Sequence, residues 1–531
     1  MRSIRHFSSL IAIALITATC SSGSTTATSP GSLTPLSTPV APATTTQPAI
    51  DDDAALPGIA FLDVNDFSEF RVHEPGSPFT VNVTLDLAGP VFVRWVDPTG
   101  AALSPQLIIR PGASHDLTVP STQPGWYGLE FTAPAGVILA DRVAGEPLIY
   151  GFAIAPDIVD QSFPDTGAAF GLVQPDMLDP VTPTWIKTMT TETTGPQWFS
   201  QELNHRRALG HEELPIVMGG AWESRNDLPL SDTQRSDLRA ELTALFTQQD
   251  AAVAWELGLE ENLNDGWGSD QYWDNLAVKS RIARDVADAA PNDVRLIYQL
   301  ATLNPTEIAR FLDSPAARYF DVLSLHPYAW PDFPPPASWL SALVADIQQQ
   351  IAHSGRKLDI WFTEIGVPIN AAPQGEFFGY PESGERVAGL DPAGAADFLA
   401  QTYALALASG VDKVFWYNYR DAGPERNLAE SNFGLVDFRG YPKPAYAAYA
   451  TSATMLEPAQ PVSMEDLDGM SVATFETDSS IIRAIWSDKP TTIDLTQFGD
   501  VRRIVSQYGA DQLTATILDV TPSVVYVVSS R

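Results

Sequence analysis

The chain has 531 residues, and its 31 lysines and arginines stand against 65 aspartates and glutamates for a net charge of −34. That balance argues against a nucleic-acid partner, because phosphate binding needs a basic surface; it selects no substrate and suits solubility or adaptation to salt. Apolar residues at 44% can fill more than one core, so two or three domains are expected, one of them large.

The N-terminus carries Arg2, Arg5 and His6, then an apolar run from Leu10 to Ile16 that is too short to span a bilayer. Thr17-Ala18-Thr19-Cys20 follows, and Cys20 is the only cysteine, so the chain can form no internal disulfide. The stretch resembles a bacterial lipobox, with Thr17 where a leucine is common. It implies residues 1–20 as a signal, lipidation of Cys20, and a cell-surface or extracytoplasmic protein that touches the membrane only through this anchor. Residues 21–55 are Ser, Thr, Pro and Ala with little to bury, the composition of a disordered tether.

Residues 56–157 read as a β-sandwich. Phe79, Val81, Val83, Leu85 and Leu87 alternate with polar residues at the period of a half-buried strand. Further strands are predicted at Val91–Val96, Leu107–Ile109, Trp126–Phe131 and Ile149–Ile154, with Gly and Pro between them.

Residues 165–455 change to alternating strands and helices. Strands are predicted at Ala168–Val173, Thr184–Thr188, Leu214–Met218, Ala252–Leu257, Val294–Leu300, Phe320–Leu325, Leu358–Thr363 and Lys413–Tyr417. Ser231 is placed to cap a helix that buries Leu238, Leu242, Leu245 and Phe246, and Asp391-Pro392 opens another that Gly410 closes. Eight strand–helix units in this length predict an α/β fold, a (β/α)8 barrel. Residues 460–531 return to strands, at Val472–Phe475, Ile481–Trp486, Thr491–Leu495, Arg503–Ser506 and Ser523–Val528, and read as a second β-sandwich.

In such barrels chemistry sits at the C-terminal strand ends. Strand four runs Trp255-Glu256-Leu257-Gly258-Leu259-Glu260-Glu261-Asn262, and strand seven runs Asp359-Ile360-Trp361-Phe362-Thr363-Glu364-Ile365-Gly366. Each apolar strand ends on a carboxylate. Two carboxyl groups facing one cleft are what glycoside hydrolysis needs, one protonated to expel the leaving oxygen and one ionised to attack.

At these residues the chain resembles glycoside hydrolase clan A, and within it family 39, with families 5 and 30 as relatives. Trp255, Glu256, Glu260 and Asn262 match the family's strand-four pattern, and Thr363-Glu364-Ile365-Gly366 its strand-seven pattern. Ser324-Leu325-His326-Pro327-Tyr328 resembles its strand-six end. Phe415-Trp416-Tyr417 and the run Phe433-Gly434-Leu435-Val436-Asp437 resemble its strand-eight end. The resemblance implies a retaining O-glycosyl hydrolase with Glu364 as nucleophile and Glu260 as acid/base, a carbohydrate substrate, and carboxyl groups roughly 5–5.5 Å apart. Two residues depart from the pattern: Leu259 stands where the clan has Asn, and Lys187 where it has Arg.

Lys187, Trp222, Asn262, His326, Tyr328 and Trp416 form the candidate substrate-binding set. Asn262 suits loop shaping better than sugar contact, and Trp416 is preferred to Tyr417 as the stacking ring with the strand's phase open by one residue. Glu261 is the rival acid, and Glu256 reads as a structural ion pair. Trp267, Tyr272, Trp273 and Trp330 are further loop aromatics. No metal-ligand spacing or phosphate loop is present, so neither metal nor cofactor is expected, and a monomer is. The alternative reading, motivated by Leu259, is a surface carbohydrate-binding protein that keeps the barrel without the reaction.

Overall fold

The computed structural model of the protein describes residues 58–65, 71–86, 90–134, 137–139, 147–156, 170–173, 184–190, 211–217, 222, 228–248, 252–263, 266–328, 337–372, 376–381, 383–512 and 515–531. The expected signal, Cys20, the tether and Trp330 lie outside them.

Near the N-terminus two sheets pack face to face. One has the strand order Ser114–Thr118, Thr80–Asp86, Gly58–Asn65, Val137–Leu139; the other has Val72–His73, Leu148–Ile154, Gly125–Thr132, Val91–Val96, Leu107–Ile109. The alternation read from sequence does its work here. Val81, Val83 and Leu85 meet Val93, Trp95, Leu129 and Phe152 in one core, while Thr80 and Asn82 on the other face bond Thr118, Ser114 and Asp116. The strand Ser114–Thr118 was not legible, because of its five residues Leu117 alone is buried.

Eight parallel strands follow in chain order: β1 (Phe170–Val173), β2 (Trp185–Thr190), β3 (Glu212–Val217), β4 (Ala254–Leu257), β5 (Arg295–Leu300), β6 (Val322–Leu325), β7 (Asp359–Ile365) and β8 (Lys413–Trp416). Phe170 pairs with Val414, so β8 returns to β1 and the barrel closes. All eight fall on predicted segments. The described helices are α1 (Asp232–Gln248), α2 (Asp270–Ala287), α3 (Pro305–Asp313), α4 (Ala337–Ser354), α5 (Pro392–Ala408) and α6 (Pro444–Leu456). Ser231 Oγ accepts from Gln234 N ahead of α1, and Asp391 Oδ1 accepts from Gly394 N to cap α5.

Alternation on each strand divides the barrel into an inside and an outside. Inside lies an apolar layer of Trp185, Leu214, Ala254, Ile297, Val322, Trp361 and Phe415. The residues one step out of phase, such as Trp255, Leu296, Leu323, Phe362 and Val414, pack outward in the core shared with the helices. Two residues beyond the apolar layer, toward the C-terminal ends, the same faces present Lys187, Glu256, Gln299, Ser324 and Thr363.

Helix α6 is apolar almost all round because it is covered on several sides. Ala447 packs with Trp126 and Val96 of the N-terminal sheets, and Ser452 hydrogen-bonds Tyr526 of the last strand. The loop before it docks the N-terminal sheets closely: Trp126 Nε1 donates to Pro442 O at 2.6 Å, and a Cβ at Gly151 would lie 1.8 Å from that oxygen. The C-terminal unit is a six-stranded sheet, from Gln460–Leu467 to Asp511–Gln512 at its edges, facing the two-stranded antiparallel sheet of Thr491–Asp494 and Ile517–Val520. Val472, Ile485, Ile493, Val520 and Val527 fill the space between. Among the described residues no helix is long and apolar enough to cross a membrane.

Candidate active site

The polar layer above the apolar floor is a single hydrogen-bonded network. Lys187, inward on β2 and fully buried, sets its ammonium 2.9 Å from Glu256 Oε2, 3.1 Å from Glu364 Oε1 and 3.2 Å from His326 Nε2. Burial works against that charge, but the attraction of Glu256 and Glu364 outweighs it and leaves the Lys187 pKa raised. Thr363 Oγ1 donates to Glu256 Oε1 at 2.6 Å, which uses its one proton, so the Ser324 hydroxyl donates to Thr363 in turn.

Glu364 owes its aim to the backbone. Phe362 pairs with Val414 and Ile365 with Trp416, so β7 carries one residue more than β8 over that interval. The bulge lets Thr363 and Glu364 both contribute to the inner network, where strict alternation would send one of them outward.

Glu260 lies just past β4, in a turn with two left-handed residues, Gly258 at φ +83° and Glu260 itself at φ +47°. Glycine is required at 258 on steric grounds as well, since a Cβ would stand 1.9 Å from Glu261 Oε1 and 2.7 Å from Trp222 Nε1. At Glu260 the conformation costs on the order of 1–3 kcal/mol. Two bonds hold it: the Glu260 N–H donates to the Gln299 side-chain oxygen, and Glu260 O accepts from Leu263 N at 2.8 Å. Gln299, inward on β5 and buried, is a positioning residue that sequence reading missed.

His326 joins the two halves. Lys187 can only donate, so His326 Nε2 accepts, and the ring proton sits on Nδ1, 3.0 Å from Glu260 Oε1 and 3.4 Å from Glu364 Oε2. Burial and the Lys187 charge push the imidazole well below its usual pKa, so it is neutral. Tyr328 OH reaches Glu364 Oε2 at 3.5 Å. One oxygen from each of Glu260 and Glu364 and a nitrogen of His326 lie within 4.8 Å of one another. Those distances alone would suit a metal ion, but the Lys187 ammonium already supplies the positive charge there, and His326 would have to give up its Nδ1 proton.

The two carboxyls are electrically unequal. Burial, and after it the charge of Glu364, push Glu260 up to about 8. Glu364 is raised by burial too, but Lys187 beside it pulls the other way by charge and by hydrogen bond.

The sequence matches no protein-family model and no curated protein. The fold has relatives among solved structures. A family 39 glycoside hydrolase from the gut symbiont Bacteroides cellulosilyticus WH2 aligns at 20% identity with a TM-score of 0.61, over 86% of this chain and 98% of that one. A family 30 subfamily 8 xylanase from Clostridium acetobutylicum aligns at 13% identity with a TM-score of 0.46, over 69% of this chain and 98% of that one. At these identities the likeness is one of fold, and it meets the clan resemblance read from the strand ends at that level.

Of the residues singled out from sequence, Glu260, Glu364, Lys187, His326 and Tyr328 converge at this site, and three do not. Trp416 points outward: it is 1% exposed and packs near Phe398 of α5, because β8 turns Phe415 and Tyr417 inward instead. The aromatic ring on the site side is Tyr417, set edge-on against Phe433. Trp222 is also 1% exposed, with its indole N–H on Glu261 and Lys279 near its ring, so it offers no open face for stacking. Asn262 spends its amide on Ala301 and Glu307, tying the β4 turn to β5 and α3. Glu261, the rival acid, is directed away to Trp222 and the Tyr272 hydroxyl.

A carboxylate beyond Glu256, Glu260 and Glu364 was not foreseen. Glu430, in the short 3-10 turn Ala429–Asn432 after β8, accepts from the hydroxyls of Tyr417 and Tyr380, the latter at 3.2 Å. Its charge bears on Glu260 and Glu364. The available signal was its place, three residues before the Phe433-Gly434-Leu435-Val436-Asp437 run.

Proposed function

We propose that this chain is a retaining O-glycoside hydrolase acting on a carbohydrate by double displacement. The observation that carries the reading is the pair Glu260 and Glu364, with oxygens inside 4.8 Å and unequal surroundings. Inverting enzymes hold their carboxyls about 6.5–9.5 Å apart to leave room for a water, and retaining ones about 5–5.5 Å.

In this mechanism a Glu364 oxygen attacks the anomeric carbon while the Glu260 carboxyl gives its proton to the glycosidic oxygen. The carbon–oxygen bond to the leaving group breaks and a glycosyl ester on Glu364 forms. Glu260, now ionised, takes a proton from water, whose oxygen attacks the same carbon and releases Glu364 as carboxylate. Lys187 steadies the charge on Glu364, and His326 orients Glu260 through the Nδ1 proton.

The binding-only alternative keeps one supporting observation. Leu259 has no group to donate to a 2-hydroxyl, a contact that strengthens in the transition states of such enzymes. Proton NMR of the first-formed product from a panel of glycosides decides between the readings. Product that retains the substrate's anomeric configuration is expected; inverted product overturns the mechanism, and sugar binding without product favours the alternative.

The proposal extends to location: a lipid on Cys20 would hold the barrel at the cell surface. Cys20→Ser should shift the protein from the membrane fraction to the soluble one and abolish labelling by a tagged fatty acid; unchanged fractionation would refute the anchor.

A further inference from the structure

Glu430 is a carboxyl group for which the proposed reaction, carried by Glu260 and Glu364, has no use, and unlike Glu256 it is not tied to Lys187. Its surroundings fix which way its hydrogen bonds run. Burial and neighbouring carboxylates keep the Tyr417 and Tyr380 phenols protonated, so both hydroxyls donate, Tyr417 to Oε1 and Tyr380 to Oε2. A carboxylate has room for about four donors, so each oxygen keeps one acceptor position unused by these bonds.

The group is also held firmly. Tyr417 comes from the inner face at the end of β8, and Tyr380 is fixed by the bond from Gly379 N to Asn427 O at 3.0 Å. Tyr417, Phe433 and Tyr328 form a continuous aromatic wall, with Phe433 edge-on to both tyrosines, and Tyr328 reaches Glu364. Glu430 belongs to this wall, is 8% exposed, and is close enough for its charge to act on Tyr328, Glu260 and Glu364. Among the described residues, the cation that pairs with this cluster is Lys187, which is committed to Glu256 and Glu364.

We propose that Glu430 is a specificity-determining residue: it accepts hydrogen bonds from the hydroxyls of a neutral glycone held against the Tyr328–Phe433–Tyr417 wall and repels glycones that carry a carboxylate. The substrate class is therefore neutral sugars, and uronides are excluded. Hydroxyls are donors and fit the open acceptor positions. A uronate carboxylate is an acceptor with a like charge, and placing it beside a desolvated carboxylate is disfavoured. This inference rests on the glycosidase reading of the same site.

The test compares the full-length wild type, Glu430→Gln and Glu430→Asp on matched aryl glycosides of both anomeric configurations: glucoside with glucuronide, galactoside with galacturonide, and xyloside. Wild type should favour the neutral member of its best pair by about tenfold or more in kcat/KM. Glu430→Gln should lose about tenfold on the neutral sugar and narrow the neutral-to-uronide ratio by a similar factor. Glu430→Asp keeps the charge, so it should lose turnover while still rejecting uronides; a merely structural role would leave the ratio alike in both variants, so the contrast between Asp and Gln is the discriminating result. A wild-type preference for a uronide, or a ratio unchanged within twofold in Glu430→Gln, would overturn the assignment even where turnover upholds the reaction. If no glycoside is turned over, saturation-transfer NMR with the same pairs gives the answer: neutral-selective binding lost in Glu430→Gln supports the role of Glu430 and sinks the reaction, and binding of no sugar sinks both.

Discussion

Glu364→Gly should lower kcat by roughly four orders of magnitude or more, the scale of loss when a covalent nucleophile is removed. Azide should then restore part of the rate and yield a glycosyl azide of inverted configuration. The truncation opens a small space at the end of the β7 bulge, and the Lys187 ammonium, 3.1 Å from the deleted oxygen, remains to draw in an anion. A small nucleophile entering there attacks the anomeric carbon from the face Glu364 used, and no second displacement follows. In the wild type, a 2-deoxy-2-fluoro glycoside with a good leaving group should label the peptide spanning Asp359–Ile365, detectable by mass spectrometry. Activity within tenfold of wild type, or an azide product of retained configuration, would remove Glu364 from the role.

The second large effect is at Glu260. Glu260→Gln should cut kcat/KM by about 10²–10⁴ on substrates with poor leaving groups, which need a proton, and far less on activated aryl glycosides. The pH profile carries the sharper signature. On the proposed mechanism the free enzyme needs Glu260 protonated, and burial and Glu364 hold its pKa up at about 8, so wild-type kcat/KM should fall as pH rises through that value. In Glu260→Gln that alkaline limb should vanish.

The same shift has a cost in stability, of fixed sign. The folded pKa is raised above the ordinary carboxyl value, so the folded state holds a proton that the unfolded chain releases. Stability from this group is fully present below about pH 4.5 and is lost as pH rises toward 8. Glu260→Gln should therefore melt a few degrees above wild type at pH 8, with the gap closing at pH 4. A gap of the opposite sign would mean that Glu260 is ionised in the resting site. The electrostatics also fit the change of role that the proposed mechanism requires. The charge on Glu364 helps hold the proton on Glu260; esterification would remove that charge, lower the Glu260 pKa and let the acid of the first step act as the base of the second.

Periodicity made the barrel legible. Each of its strands is a short apolar run, and apolar runs survive translation into structure because burial fixes them. The edge strands Ser114–Thr118 and Gln460–Leu467 escaped because they bury little and so carry little pattern. Glu260 and Glu364 were visible because a carboxylate ending an apolar strand contradicts its surroundings. Trp416 was misread by one residue: the short run Val414-Phe415-Trp416 of β8 shows no alternation to fix its phase, and the inward neighbours Phe415 and Tyr417 are as aromatic as Trp416 itself. Glu430 and Gln299 were missed for another reason. Glu430 depends on how the segment after β8 folds back against Tyr417 and Tyr380, and Gln299, inward on β5, gains its role from meeting the Glu260 N–H of the neighbouring turn; one-dimensional spacing records neither contact.

The bulge in β7 carries a consequence for how this site is encoded. Thr363 and Glu364 both reach the inside only because one additional residue lies between Phe362 and Ile365 than the facing strand requires. Removing any one residue from that stretch would leave the composition nearly unchanged and still allow a strand to pair. It would also turn one of the two away from Lys187 and Glu256. The chain thus specifies the aim of its proposed nucleophile by a count as well as by a residue type, and a single-codon deletion here would redirect a side chain that a conservative substitution leaves in place.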